Sequence, residues 1–181
     1  MKRLPVFAAW SFALLLASTP AAAVTIVYNV TLSGSQAVPV NVTAASGTAT
    51  VTVDDVADTV GVVLSYTGLI GGAPSAAHIH CCVATNANGP VVIPFTAFPT
   101  TTSGTYSNTF IGVSAANIAG IEAGLAYINI HNAVFPGGEI RGDILPENAV
   151  SPVPEPESAS LILAGLAVLG LYRARRARRK P

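Results

Sequence analysis

Apolar and polar residues alternate with a period of two along most of the chain between residues 24 and 150. The alternating segments are rich in valine and threonine and are bounded by glycine, serine, asparagine or aspartate, which is typical of β-strands with one buried face. The stretch DDVAD at residues 54–58 predicts a hairpin turn, because its charges cannot enter a core. Short strands at this spacing favour an antiparallel sandwich or barrel. Eight strands are predicted: residues 25–32, 47–54, 59–68, 76–81, 90–95, 104–110, 125–131 and 138–145.

One segment, SAANIAGIEAG, has helical spacing instead. Ile118, Ile121 and Leu125 recur three and four residues apart, as on one face of a helix. Ser114 is a suitable N-cap and Gly124 is a suitable C-terminal stop. The sequence therefore predicts one short helix, packed over an end of the sheet.

The first 23 residues form a segment of a different kind. A lysine–arginine pair precedes an apolar run over residues 4–17, and the small residues Ala21 and Ala23 follow it. This order is typical of a secretory signal peptide. We expect export by the Sec machinery and cleavage after Ala23.

Residues 151–181 also have an organisation of their own. A proline-rich spacer is followed by an apolar stretch over about residues 159–172 and by a tail at residues 173–180 that holds six of the chain's nine basic residues. The apolar stretch predicts a short membrane-anchoring helix whose basic tail stays in the cytoplasm. The rest of the chain would then lie outside the inner membrane, which holds the protein transiently.

Val153, Pro154, Glu155 and Pro156, together with the apolar stretch and the arginine-rich end, resemble the PEP-CTERM sorting signal of Gram-negative bacteria. The resemblance covers roughly residues 152–181. It implies that an exosortase cuts the chain near Pro-Glu-Pro and that the protein is delivered to the cell surface.

The charge of the central region differs from that of the whole chain. Between residues 24 and 150 there is one basic residue, Arg141, against seven acidic residues, so the region carries six net negative charges. Such a surface is unsuited to nucleic acid, whereas cations or a basic partner are compatible with it. Arg141 alternates with Glu139 and Asp143, which predicts an ion pair on one strand face. The alternative is an arginine that faces an anionic ligand.

All three histidines of the chain lie in predicted strands, within the motifs AHIHC and INIH. Successive side chains of a strand point to opposite faces, so His78 and His80 share one face and Ile79 takes the other. The same alternation puts His131 on the face opposite the core isoleucines. The pattern predicts three imidazoles on the solvent-facing side, which converge if the two strands are neighbours.

Three converging imidazoles suit copper or zinc. Cys81 or Cys82 would be a soft additional ligand, and Glu139 or Asp143 a hard one. The alternative is that the imidazoles hydrogen-bond to loop backbone and fix the loop over residues 81–90. The spacing of the residues is compatible with both interpretations.

Cys81 and Cys82 are adjacent and are the only cysteines of the chain. Because the compartment outside the inner membrane is oxidising, free thiols are not expected there. The choices are a strained disulfide between the two neighbours, metal ligation, or a bond to another molecule. We expect the disulfide, as a rigid turn between strand and loop. A catalytic thiol is not expected, since no lysine or arginine lies nearby in the sequence.

The segments AHIH, NGP, NIH and PGGEIRG, which begin at Ala77, Asn88, Asn129 and Pro136, resemble the chordin-type (CHRD) domain of bacterial secreted proteins and animal chordin. They occur in the expected order and span most of residues 25–146. The double cysteine departs from the commoner form, in which a small residue follows the second histidine. The resemblance implies a secreted domain and its fold, but no settled biochemical activity.

The His-x-His pair is also similar to the copper ligands of Cu/Zn superoxide dismutase. That enzyme needs several further histidines, and this chain has one, so a two-metal site cannot form and dismutase activity is not expected. The expected fold is all-β: an antiparallel β-sandwich, superoxide-dismutase-like or immunoglobulin-like in its Greek key, with one short helix.

The sequence therefore predicts a signal peptide at residues 1–23, a CHRD domain at 24–150 and a sorting signal at 151–181. The predicted protein is non-enzymatic. As a structural or adhesive module it would contact exopolysaccharide or a surface protein through faces rich in threonine, serine and asparagine. The alternative is a copper- or zinc-binding envelope protein that uses the three histidines.

Overall fold

The computed structural model describes residues 25–150 together with Leu166 and Leu169, which are both helical and exposed. The predicted signal peptide, the sorting residues 153–156 and the rest of the predicted membrane-anchoring helix lie outside the described residues. Among the residues that the structure describes, no helix is long and apolar enough to cross a membrane.

Strands make up most of the described domain, and all eight predicted strands are present within a few residues of their expected bounds. The additional strand, β9, is two residues long. The elements are β1 (Thr25–Ser33), β2 (Ser46–Asp54), β3 (Thr59–Thr67), β4 (Pro74–Cys81), β5 (Val91–Pro94), β6 (Gly104–Ile111), α1 (Ala115–Glu122), β7 (Ala126–Asn132), β8 (Ile140–Ile144) and β9 (Ala149–Val150), with 3-10 turns at Gly34–Gln36 and Pro146–Asn148.

The strands form one antiparallel sheet in the order β5-β4-β7-β8-β1-β2-β3-β6, with β9 beside β1. The predicted β2–β3 hairpin is confirmed, with Asp54 paired with Thr59 across the turn. The all-β antiparallel fold is confirmed as well. A single sheet, curled until it is nearly closed and barrel-like, takes the place of the two separate sheets of the predicted sandwich. β1 joins the two halves, because it pairs with β2 along its length and with β8 at Ser33 and Arg141.

The two edge strands, β5 and β6, are joined by aromatic side chains. Phe95 follows β5 directly and stacks on Tyr106 and Phe110 of β6, with ring centroids 5.0 and 5.8 Å apart. Phe98 packs against the same Tyr106 ring at 5.2 Å. Stacked rings in this distance range add to the stability gained from burying their area. Side-chain packing therefore completes the closure that the backbone ladder begins.

The core lies inside the curled sheet and is built from alternate strand residues. Isoleucine and valine dominate it, as expected for β-branched side chains on a pleated surface. The hydrophobic residues with no exposed area are Val51, Val53, Val60, Ile79, Ile121, Ile128, Ile130, Ile140 and Ile144, together with Cys81.

Helix α1 confirms the predicted helix. The Ser114 side chain accepts a hydrogen bond from a backbone N–H of the first turn, and the chain reverses at Gly124, which has a φ of 73°. Ile118 and Ile121 are buried in the core. Leu125 was predicted to share their face but is 37% exposed. That prediction was wrong, because the helix ends at Glu122 and the left-handed glycine turns the chain before Leu125 is reached.

Candidate metal centre

The three histidines meet on the outer face of two neighbouring strands. β4 and β7 pair antiparallel, with His80 opposite Tyr127 and His78 opposite Asn129. His131 lies two residues beyond Asn129 on β7. The three ring centroids are 5.1, 5.4 and 5.9 Å apart. One nitrogen of each ring lies within 4.8 Å of the chosen nitrogens of the other two. The expectation that the two histidine-bearing strands are neighbours is confirmed.

The sequence predicted that this face is open to solvent, but the structure covers part of it: His80 is buried, and His78 and His131 are half-buried. Residues 82–90 and 133–138 fold over it, and their backbone carbonyls lie within hydrogen-bond distance of its side chains. His80 is 8% exposed, and Tyr127 and Arg141 are at most 2% exposed. The predicted strand face is correct, but the predicted exposure fails for His80, because alternation distinguishes the two faces of a strand and not the loops that cover them.

The loop carbonyls fix the protonation of two imidazoles. Nδ1 of His80 lies 2.9 Å from the carbonyl oxygen of Gly89, and Nδ1 of His131 lies 2.9 Å from that of Pro136. A carbonyl oxygen only accepts hydrogen bonds, so Nδ1 carries the hydrogen in both rings. In the neutral rings, Nε2 is then a free lone pair. The predicted backbone contacts of the imidazoles thus exist, and they leave the other nitrogens available.

Three imidazole nitrogens are buried without a hydrogen-bond partner among the described residues. They are Nε2 of His80, Nε2 of His131 and Nδ1 of His78. Buried polar atoms are nearly always hydrogen-bonded, and an unsatisfied one costs roughly 1–3 kcal/mol. A cluster of such nitrogens needs a physical reason, and a shared ligand is one.

Burial favours the neutral form of two of these imidazoles. The pKa of His78 is lowered to about 4, mainly by burial and in addition by the neighbouring His131 and His80 rings. Burial also lowers the pKa of His80, while the hydrogen bond to the Gly89 carbonyl acts in the opposite direction. His131 and Arg141 add to the decrease at His80. Since a metal binds the deprotonated ring, these shifts favour metal ligation near neutral pH.

A stack of side chains supports His80 from behind. The Tyr127 ring lies parallel to the His80 ring at 4.7 Å, and the Arg141 guanidinium carbon lies 3.5 Å from the centre of the Tyr127 ring. The Tyr127 hydroxyl accepts a hydrogen bond from the Gly89 backbone N–H at 3.1 Å. Tyr127 thus holds His80 directly and also holds the residue whose carbonyl sets the His80 tautomer. Arg141 donates to the Ala87 carbonyl at 2.9 Å, which fastens the same loop.

The predicted ion pair of Arg141 forms with one of its two candidate partners. Arg141 donates through Nε and Nη2 to Oδ1 of Asp143, both at 2.8 Å. The pair lies beneath the 82–90 segment rather than on an exposed strand face. The alternative of an arginine facing an anionic ligand is not what the described contacts show, because a carboxylate, a carbonyl and an aromatic ring occupy the guanidinium.

Glu139 has a role that the sequence did not indicate. The side chain is fully buried and accepts hydrogen bonds from the Thr43 hydroxyl, the backbone N–H groups of Ile70 and Gly71, and the Asn132 amide. Burial raises the pKa of the Glu139 carboxyl, but these donors outweigh burial and the net pKa is lowered. With its oxygens so occupied, Glu139 is a structural anchor and not the predicted hard metal ligand.

The cysteines lie apart from the histidine cluster. The Cys81 and Cys82 sulfur atoms are 2.10 Å apart, as in a disulfide. Cys81 points into the core, on the face of β4 opposite the histidines, and a Cβ at Gly120 of α1 would collide with both sulfur atoms. The disulfide therefore packs against the helix. The predicted soft ligands do not join the imidazole cluster.

Comparison with protein families identified two matches. The model of the CHRD domain matches residues 28–144, which include the three histidines and their supporting residues. The model of the PEP-CTERM protein-sorting motif matches residues 152–179. This motif implies processing by an exosortase, export with C-terminal membrane anchoring, and delivery to the surface. No curated protein and no solved structure matches the chain.

Proposed function

We propose that this chain, which belongs to the CHRD domain family and carries a PEP-CTERM sorting motif, is an exported envelope protein. We propose further that it binds one transition-metal ion at its histidine cluster. The ligands are His78, His80 and His131, and copper and zinc are the ions that three imidazoles suit. The protein holds the ion rather than using it in catalysis.

One observation carries this proposal: each of the three clustered imidazoles has a buried nitrogen without a hydrogen-bond partner among the described residues, and the rings bring one nitrogen each within 4.8 Å of the others. Two of them are free because loop carbonyls hold the hydrogen on the opposite nitrogen. A metal ion would satisfy all three lone pairs at once. The support provided by Tyr127 and Arg141 is of the kind that orients ligating histidines in metal sites.

A role in binding rather than catalysis is supported by the burial of the ligand atoms. Metal-dependent enzymes keep an open coordination position for water or substrate. Here residues 82–90 and 133–138 cover the face that carries the three imidazoles, and the ligand nitrogens are shielded from solvent.

Metal content tests the proposal. The full chain would be expressed with its leader, purified in detergent, and titrated with copper and with zinc while bound metal is measured by mass spectrometry. We expect one ion per chain for the wild type, none for His80→Ala, and one for the control Thr50→Ala, whose substitution lies on β2, three strands away from β7 in the sheet. Absence of a bound ion in the wild type, or an undiminished ion in His80→Ala, would rule the site out.

A second function, adhesion, is favoured by one other surface. The register of β1, β2, β3 and β6 aligns two rows of outward-facing residues without a charged side chain. They border a shallow hollow of about 440 Å³. Hydroxyl and amide groups on such a face can hydrogen-bond a neutral exopolysaccharide or a surface protein. The rows are Thr31, Thr48, Ser65 and Thr105, and Asn29, Thr50, Val63 and Ser107.

Co-sedimentation with neutral exopolysaccharide tests the adhesive function. Under this proposal the wild type sediments with the polymer, and the double variant Thr48→Val/Thr50→Val does so several-fold less. The His80→Ala variant serves as the control, since its substitution lies on another face. Equal sedimentation of all three proteins would exclude this surface as the binding face.

A further inference from the structure

We propose that the ion held by the histidine cluster is monovalent copper, Cu(I), bound by three nitrogens without a water ligand. This inference rests on the proposed metal-binding function and names its ion. Three properties of the cluster carry it: the charge of the ligand set, the charge next to it, and the shielding of the ligand atoms.

The ligand set is electrically neutral. Among the described residues, the cluster contains three imidazoles and no carboxylate or thiolate. The first two acidic residues that follow His131 in the sequence are occupied elsewhere, Glu139 by four hydrogen-bond donors and Asp143 by Arg141. A bound ion therefore keeps its full charge in a buried site. Because the solvation energy lost by a buried ion grows with the square of its charge, a divalent ion loses about four times as much as a monovalent one.

The nearest charged group in the ligand support is a cation. The Arg141 guanidinium lies against Tyr127, and Tyr127 lies against His80, so the positive charge is separated from a ligand by one aromatic ring. Asp143 pairs with the guanidinium and offsets part of its charge, but no carboxylate belongs to the histidine cluster itself. The placement of Arg141 therefore gives a second positive charge on the metal no compensation from its ligands.

The nitrogens that would bind the ion are also shielded from solvent. Sites that offer zinc three protein ligands fill the fourth position with water, and Cu(II) favours four or more ligands in a tetragonal arrangement. Here the three nitrogens themselves have almost no solvent-accessible area, and the cluster supplies no fourth charged ligand. Cu(I), with a filled d shell, is stable with three ligands in a plane. The remaining unpartnered buried atom, Oδ1 of Asn129, lies against Gly138 and is uncharged.

Competition titrations test the identity of the ion. The exported full chain, purified in detergent, would be titrated anaerobically with Cu(I) against bicinchoninate and with Zn(II) against a chromophoric chelator. We expect one Cu(I) per chain and a dissociation constant at least about 1,000-fold below that for Zn(II). X-ray absorption should report three nitrogen neighbours, and the bound copper should stay silent in electron paramagnetic resonance after exposure to air.

Two controls separate the histidines from the cysteines. Ag(I) has the charge and the filled d shell of Cu(I) but needs no reductant, so the Cys81–Cys82 disulfide stays intact; we expect it to bind the wild type and not His80→Ala. The double variant Cys81→Ser/Cys82→Ser should bind Cu(I) as the wild type does. Sulfur neighbours in the absorption spectrum, or loss of binding in a folded double variant, would overturn the inference.

The possible results distinguish this inference from the function on which it rests. If Zn(II) binds as tightly as Cu(I) and is lost in His80→Ala, the Cu(I) assignment is wrong and the three-histidine metal site stands. If neither ion binds the wild type, both fail.

Discussion

Tyr127 lies flat against His80, with an angle of 1° between the two ring planes and 4.7 Å between their centroids. The two residues are direct partners across β7 and β4, so the stack follows from the register of the sheet. On the next strand, Asp143 is the direct partner of Tyr127 and Arg141 is the partner of Asn129, so Arg141 lies one row away on the same face and contacts the Tyr127 ring diagonally. The candidate ligand is thus held by backbone pairing that extends over three strands, and its support can be tested separately from the ligand itself.

Replacing Tyr127 tests that support. Tyr127→Phe keeps the stacked ring and loses the hydrogen bond from the Gly89 N–H. We expect about 1 kcal/mol less stability and a metal affinity lower by about threefold to tenfold, because the Gly89 carbonyl then orients His80 less firmly. Tyr127→Ala loses the ring as well and should weaken metal binding further. Thermal unfolding and metal titration measure the two effects, and equal metal affinity for all three proteins would contradict the assigned role.

Removal of the Arg141 side chain is predicted to lower the free energy of unfolding mainly because it leaves buried partners unpaired. Arg141→Met strands the Asp143 carboxylate and the Ala87 carbonyl beneath the 82–90 segment. We expect a loss of roughly 3 kcal/mol in the free energy of unfolding, since breaking a buried pair leaves an unpaired charge. The double variant Arg141→Met/Asp143→Asn should recover part of that loss. Denaturant unfolding of the metal-free proteins measures both, and an equal loss in the two variants would show that the charge of Asp143 is not the cause.

Acid should destabilise the metal-free protein in a defined range. The pKa of His78 is about 4 in the folded state, against 6.5 for an ordinary histidine. Between these values the unfolded chain binds more protons, so unfolding becomes more favourable as the pH falls. The contribution of neutral His78 to the free energy of unfolding is therefore fully present above pH 6.5. It is lost between pH 6.5 and about pH 4, which lowers the free energy of unfolding by an amount on the order of 1–3 kcal/mol. Denaturant unfolding at several pH values measures this slope, and His78→Gln should reduce it. A wild-type stability that is constant over this range would contradict the prediction.

The strands and the helix were predictable because each depends on residues close together in the sequence. Ile79 and Ile128 alternate with the histidine-bearing positions, and Ser114 and Gly124 delimit α1. The shared strand face of His78 and His80 also follows from alternation, whereas the pairing of β4 with β7 was only assumed as a condition. These features come from local periodicity and from cap and turn chemistry, which a single sequence contains.

The covering of the site was not predictable, because it depends on contacts between distant segments. A contact between an imidazole and the backbone of the 81–90 loop was one of the two interpretations of the sequence, but the sequence does not show that Tyr127, from another strand, fixes Gly89 in place. Glu139 is a similar case, since Thr43 and Ile70 donate to it from about 96 and 69 residues away. An acidic residue beside an arginine predicts an ion pair, and only the tertiary structure shows that the arginine pairs with Asp143 instead.

Glu139 gives the last prediction, which concerns the anchor between β8 and the segments before β2 and β4. Glu139→Gln replaces an oxygen acceptor by an NH₂ group that faces donors, and it removes the charge that strengthens the remaining bonds. We expect a loss of roughly 3 kcal/mol in the free energy of unfolding near neutral pH. The matched control is Glu147→Gln, an exposed carboxylate, which should change stability by no more than about 0.5 kcal/mol.

The folded-state pKa of Glu139 is lowered, so its stabilisation is present above the pKa of the unfolded chain and is lost as the pH falls through the lower folded value. The difference between wild type and Glu139→Gln should accordingly shrink in strong acid. If denaturant unfolding gives the two glutamine variants equal stability at neutral pH, Glu139 is not an anchor and the segments it joins are held by other contacts.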